Sequence, residues 1–287
     1  MAVERKAAVA GQFYPAGRDV CGRMADDLLG GATTSAAIGA VVPHAGWVYS
    51  GAAAALSWAG VAAARPETVV IFGAMHGLDR NAGSLFASGS WQTPLGAVAV
   101  DEELARRFLR CRHVREAPDA HAFEHSIEVQ LPLLKRLLPD VRIVPLSVQP
   151  GALATEIGRV CAAECGDRGR AVAFAGSTDL THYGPAFGFE PMGRGRAGIR
   201  WAKEVNDRRL VKLVVEMDAD AIVPEAAANR NACGSGAVAA VISAMRELGA
   251  VKYRELLHTS SADVRGFDDR NEVNSVGYEA GVFTVPE

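Results

Sequence analysis

Long apolar runs are missing from this 287-residue chain. The longest candidate, Gly51–Gly60 with Val61–Ala64 behind it, is alanine-rich and stops at Arg65. It falls short of the ~20 strongly apolar residues that a bilayer span needs. The opening MAVERKAAVAGQFYP carries charges but no apolar core of the kind a secretory signal requires. Both absences lead to the expectation of a cytoplasmic protein with no membrane partner. Charge of one sign is equally scarce: 30 basic residues stand against 33 acidic ones, and neither forms a long block. That excludes the electrostatic footprint of a nucleic-acid binder. The densest basic stretch, Arg106 to Arg115, follows directly on Asp101, Glu102 and Glu103 and reads as a solvated face. The five cysteines never occur in CxxC spacing, which argues against a disulfide framework and against a zinc ribbon. No linker rich in Pro, Ser or charge divides the chain and no repeat is visible, so residues 1–287 are expected to form a single domain.

What is present is ample apolar material in an alternating order. Hydrophobic residues make up 49% of the chain, enough to exclude disorder as its dominant state. Short β-branched runs at Ala37–Pro43, Thr68–Gly73, Val141–Val148 and Ala171–Gly176 read as strands, most followed by a glycine-bearing loop and a helical pattern. Helices are expected at about 51–64, 126–138, 197–217 and 234–248, and strands near 251–258 and 276–285. This order predicts an α/β fold: a largely parallel or mixed central sheet with helices on both faces. In such sheets ligands sit beyond the carboxyl ends of the strands.

Histidines recur at those ends. His44 follows AVVP, His76 lies three residues after VVIFG, and Asp179 and His182 follow AVAFAG. A single histidine after a strand is commonly structural, but three of seven at equivalent strand ends suggest a metal site, since neutral imidazole is the commonest ligand for zinc, iron and copper. Cys233, in NRNACGSG just before a predicted helix, sits where a thiolate is favoured, as a metal ligand or as a nucleophile. A buried thiol at a tight turn is the alternative. In HAFEHSIEVQLP, His121 and His125 are four apart, as are Glu124 and Glu128, so each pair shares a face if the helix extends that far. His121, Glu124 and His125 are therefore expected to orient the loop histidines or touch substrate. Trp47 and Tyr49 would form an aromatic wall for a substrate, or simply pack the loop.

Taken together, VAGQFYPAG, VVPHAGWVYSG, GAMHG, SWQTPLGAVAVD, AHAFEHSIEVQLPLLK, STDLTHYG, NACGSG and NSVGYEAGVF make the chain resemble, nearly end to end, the MEMO family, the B component of the AmmeMemoRadiSam system. The resemblance implies a fold like that of the class III extradiol dioxygenases, which hold Fe(II) by two histidines and a glutamate. By motif, His44 and His76 match the two histidine ligands, Cys233 replaces the glutamate, and His182 matches the acid/base histidine with Asp179 beside it. The softer His/His/Cys set points to Fe(II), with copper or zinc as rivals. Asp179 would orient His182, which would move a proton at a substrate hydroxyl.

Three functions follow as expectations. The first is an oxygenase-like, non-haem iron enzyme acting on a small organic molecule or a peptide, with AMMECR-type and radical-SAM proteins as partners and a homo-oligomer as one assembly. The second is a metal-binding or scaffold protein that keeps an enzyme-like cleft without turnover. The third is a Cys-His hydrolase with Cys233 as nucleophile; three histidines exceed what a triad needs.

Overall fold

The computed structural model describes residues 3–32, 34–77, 79–166, 172–250, 252–266 and 273–285. In chain order the strands of its main sheet are β1 (Gly39–Val42), β2 (Thr68–Gly73), β3 (Gly83–Leu85), β4 (Val114–Glu116), β5 (Arg142–Val148), β6 (Val172–Ser177), β7 (His182–Tyr183), β8 (Lys252–Ser260) and β9 (Ser275–Thr284). Their spatial order is β7-β9-β1-β6-β2-β5-β3-β4, with β8 antiparallel to β9. The four central strands β1, β6, β2 and β5 run parallel, Val70 lying opposite both Phe174 and Val144. Strands covered on both faces have no reason to alternate, and these are apolar almost throughout. The flanks are antiparallel (β9 on β1, β3 on β5), so the sheet is mixed. A second small sheet joins Glu4–Arg5, Ser90–Trp91 and Val98–Ala99.

Helices flank the main sheet. They include α1 (Arg18–Leu29), α2 (Trp47–Ala63), α3 (Leu131–Leu137), α4 (Ala154–Ala163), α5 (Ala219–Asn229) and α6 (Ser235–Glu247). Helix α2 packs on β1, β8 and β9, and α6 on β1, β2, β5 and β6. Helices α4 and α6 approach so closely that a Cβ on Gly158 would stand 2.0 Å from the Ala240 carbonyl oxygen, which only glycine allows. Among the described residues no helix is long and apolar enough to cross a membrane.

The central strands lie where their β-branched runs predict, although residues 171 and 251, at two expected strand starts, lie outside the described residues. Three helical expectations change. Helix α2 begins at Trp47, four residues early, so the VVPHAGWVYSG loop is shorter than its glycines suggest. The run expected as one helix over 126–138 is a 3-10 turn, Glu128–Gln130, leading into α3. The run over 197–217 is broken by a π-helical turn, Ala202–Asp207, which buries Asn206 and Asp207. Two further helices, α1 and α5, stand where none was expected; α1 turns Cys21, Met24, Ala25 and Leu28 to the core, whereas α5 has a mixed face and no clear period.

Candidate metal centre

Parallel pairing brings the carboxyl ends of β1, β2 and β6 to one edge. His44 stands two residues past β1 and is 2% exposed. Its backbone N–H donates to Asp179 Oδ1 (2.7 Å), and its Nδ1 lies 2.9 Å from Ser177 Oγ, the last residue of β6. Its other ring nitrogen, Nε2, lies 3.1 Å from Cys233 Sγ. His76, three residues past β2, is held by Glu124: the carboxylate accepts its backbone N–H (2.9 Å) and lies 3.0 Å from its Nδ1. His125 stacks on His76, ring centroids 4.7 Å apart and nearly parallel, and meets His44 edge-on at 5.4 Å. One donor nitrogen from each of these three imidazoles lies within 4.8 Å of the other two.

Cys233 is pinned from the β6 loop. Its N–H donates to the Asp179 carbonyl (3.2 Å), and its sulfur accepts the Asp179 N–H (3.3 Å). The next residue, Gly234, gives its N–H to Thr178 Oγ1 (3.0 Å). A Cβ there would fall 2.1 Å from the Ser177 carbonyl oxygen, so the close approach that sets the sulfur beside His44 requires glycine. Helix α6 starts immediately afterwards.

The electrostatics follow from crowding. Burial, reinforced by His76 and His125, drives the His44 imidazole well below its ordinary range. Burial and the His76 charge lower His125 too. Burial also opposes a charge on His76, but hydrogen bonding to Cys233 and Glu124 outweighs it and lifts that ring to about 10. Glu124 is held far below the usual carboxylate range, despite its own burial, by the His76 ring and N–H. Burial raises the Cys233 thiol, and hydrogen bonding to His76 opposes the rise. Like charges this close oppose one another, so a proton on the cluster favours His76, beside Glu124, and a metal ion held by His76 would displace it. Two imidazoles remain neutral with a nitrogen lone pair each, the form that binds metal.

Beside the cluster a cavity of about 770 Å³ is walled by Phe13, Tyr49, Phe187 and Tyr278 and reaches His125, Asp179 and His182. His182 leans on Phe187 at 5.0 Å, and its Nε2 has no hydrogen-bond partner among the described residues. Burial, then the charges of His76 and Arg230, lower its pKa to about 4. A groove of about 720 Å³ reaches the same centre from the other side, past Met75, His76 and Glu124, with Phe123 90% exposed at its rim.

Several expected roles shift. Asp179 does not orient His182; its carboxylate holds the backbone N–H groups of His44 and Ala45, and burial raises it to about 7 against those bonds. Tyr49 lines the cavity, whereas Trp47 is buried with its indole N–H donated to the Val129 carbonyl (3.0 Å) and lines neither opening. His121 is fully buried away from the cluster, its Nε2 2.8 Å from the Ser84 carbonyl oxygen. It closes a 3-10 turn, Pro118–His121, so the i,i+4 relation to His125 on a common helix does not exist. His125 itself moves inward, from an orienting role to a member of the nitrogen cluster. Ser177, Ser126 and Gln130, which tie the site together, escape the sequence reading; the only signal was a serine at a strand end and polar residues within an apolar helix pattern.

The profile of the family described as Memo-like protein matches residues 5–282. The chain belongs to this family. It is 34% identical to a MEMO1 family protein of Pyrococcus furiosus, across 91% of this chain and 93% of that one. It is 37% identical to a MEMO1 family protein of Methanosarcina barkeri, across 96% and 98%. Among solved structures, an uncharacterized protein of Escherichia coli K12 superposes with a TM-score of 0.53 at 14% identity, covering 84% of this chain and 98% of that one. That likeness concerns the fold alone. For this member of the Memo-like family, the donor chemistry is compatible with a mononuclear ion: nitrogen and sulfur atoms converge, and the far nitrogens of His44 and His76 rest on oxygen atoms, as ligating imidazoles require.

Proposed function

We propose that this chain is a mononuclear metal protein, with His44, His76 and Cys233 as ligands and oxygenase-like redox chemistry on a small organic or peptide substrate. The observation that carries the reading is the 3.1 Å approach of Cys233 Sγ to His44 Nε2 beside two further imidazoles. Three donors of this softness suit iron(II), with copper and zinc as competitors, and His125 is near enough to join or replace one of them. Bound there, iron(II) would supply a Lewis-acidic centre with open positions for dioxygen and substrate.

The chain's own residues supply the rest. His182 lines the cavity with a neutral imidazole and would take a proton from a substrate hydroxyl there. Asp179 braces the His44 loop through its carboxylate and Cys233 through its backbone. The aromatic walls shield the reacting end from water and suit a planar substrate. The family resemblance to the B component of the AmmeMemoRadiSam system makes AMMECR-type and radical-SAM proteins the partners to test, in the cytoplasm.

The same thiol–imidazole contact supports a second reading, with Cys233 as a metal-free nucleophile and His44 as its base. Metal analysis of protein purified anaerobically without an affinity tag, beside the Cys233→Ser variant, separates the two. Near-stoichiometric iron or copper, lost in the variant, is expected. Protein without metal that takes up none of Fe(II), Cu(I) or Zn(II) would overturn the metal reading and turn attention to alkylation of Cys233.

A further inference from the structure

The orientation of the His44 ring is set by a buried chain of groups that the proposed chemistry does not use. Trp58 Nε1–H can only donate, and it donates to Gln130 Oε1 (2.9 Å). That fixes the Gln130 amide, whose NH2 then points to the Pro43 carbonyl (2.8 Å), the Ser126 carbonyl (3.3 Å) and Ser177 Oγ (3.3 Å). Ser177 Oγ in turn lies 2.9 Å from the Ser126 carbonyl oxygen and 2.9 Å from His44 Nδ1. It has one hydrogen for these two neighbours. Spent on His44, that hydrogen would leave two oxygen atoms face to face at 2.9 Å with no proton between them. Spent on Ser126, it satisfies the carbonyl and leaves the serine lone pair to accept from a protonated Nδ1. Only the second arrangement makes both bonds, and Ser126, Ser177 and Gln130 are too buried for water to relieve the first.

We infer that Ser177, with its hydroxyl aimed by Ser126 and Gln130, is a positioning residue that fixes His44 as the Nδ1–H tautomer and so turns the Nε2 lone pair toward Cys233. The same short stretch governs the neighbouring histidine. Glu124 lies against His76 Nδ1 and also accepts the Ser126 N–H (2.9 Å), so residues 124–126 orient both strand-end imidazoles and contribute the third. The two supports differ in kind. His76 rests on a carboxylate, His44 on a neutral hydroxyl, and a neutral partner leaves the ring a weaker donor. His44 is therefore the ligand whose geometry depends most on its support.

The inference rests on the metal reading only for its affinity arm; the tautomer is a property of the protein itself. Long-range 1H–15N correlation spectra of the chelator-treated protein, assigned with the His44→Gln variant, should show His44 as the Nδ1–H form. In Ser177→Ala that form should lose its dominance, and Zn(II) affinity measured by competition with a chromophoric chelator should fall roughly 10–100-fold. Ser177→Thr, which restores the hydroxyl, should recover both. His44 protonated at Nε2 in the parent protein overturns the inference whatever the variants do. So does a Ser177→Ala protein that folds, keeps the Nδ1–H form and binds zinc like the parent. A parent protein with the expected tautomer that binds no zinc supports the inference and defeats the metal reading instead.

Discussion

Two buried polar clusters draw on the same stretch of chain, residues 121–130, and they are finished in opposite ways. Both oxygens of the Glu128 carboxylate are fully partnered. The carboxylate accepts from Arg5 Nη1 (2.7 Å), from the backbone N–H groups of Ala8 and Val9 (2.9 Å each) and from the Tyr14 hydroxyl (2.7 Å). The Arg5 guanidinium also donates to the His121 and Glu124 carbonyls and lies 4.0 Å over the Trp91 ring. At the strand ends, His44, His76 and His125 turn ring nitrogens toward one another, and Cys233 Sγ joins them with a single backbone N–H, that of Asp179, upon it. Charge is buried in both places, but only the second leaves capacity for a ligand. A satisfied cluster ties segments together, here the N-terminal strand to the 3-10 turns; an unsatisfied one marks where chemistry is expected.

The sharpest way to break the contrast is to remove one member from each cluster. His44→Ala and His76→Ala are expected to abolish stoichiometric metal uptake, measured by elemental analysis after loading with Fe(II) or Zn(II). His182→Ala, which touches the cavity but not the nitrogen cluster, should bind like the parent. If all three bind metal like the parent, the strand-end cluster is not the metal centre. Arg5→Ala should do the reverse. It leaves Glu128 charged and fully enclosed, a loss of about 3–5 kcal/mol for breaking one side of a buried pair. A denaturant titration at pH 7 reads that loss, and the folded fraction should still take up metal.

The contrast also marks what could be read from sequence. The central strands were legible because strands buried on both faces need continuous apolar runs, and VVIF and VAFAG are short, bounded by turn residues and rich in β-branched or aromatic side chains. His44, His76, Asp179, His182 and Cys233 were legible as strand-end and helix-start residues, because parallel topology sends those positions to one edge. The 121–130 stretch was legible only in part: Glu124 orients a loop histidine, His76, as expected, but the backbone that puts it there was not. Its spacing reads as helix, yet the backbone takes two 3-10 turns so that Glu128 can face the N-terminal strand while Glu124 faces His76. Periodicity cannot see a partner more than a hundred residues away. For the same reason His121 and His125 look equivalent in sequence, whereas one is enclosed beside Trp91 and the other stacks on His76.

His121, beside the Glu128 knot, gives a smaller test. Its Nε2–H donates to the Ser84 carbonyl, its Nδ1 has no partner among the described residues, and burial lowers its pKa to about 4. The unfolded ring takes up a proton near its ordinary 6.5, whereas the folded ring refuses it until about 4. Stability from this site is therefore intact above pH 6.5 and is lost as the pH falls toward 4, by up to roughly 3 kcal/mol. His121→Gln removes the titration, so the gap between parent and variant stabilities should narrow by that amount between pH 7 and pH 4. Parallel stability curves would place the acid sensitivity elsewhere.

The smallest effect is expected at Tyr14, and its smallness is the point. Tyr14→Phe deletes a donor to a buried carboxylate, a bond of the charged kind that is typically worth about 1.5–3 kcal/mol. Here the donor leaves while Arg5, Ala8 and Val9 still serve the same acceptor, and no polar group is left stranded on the tyrosine side. The loss should lie at the low end, about 1.5 kcal/mol, with metal uptake unchanged. A loss as large as that of Arg5→Ala would mean that the carboxylate depends on each donor singly. Glu128 would then be as close to unsatisfied as the histidine cluster, and the distinction between the two regions would fail. A loss near the low end, additive with neither Ala8 nor Val9 disturbed, fits a knot with redundant donors whose work is to hold the N-terminal strand against the turn that positions Glu124 and His76.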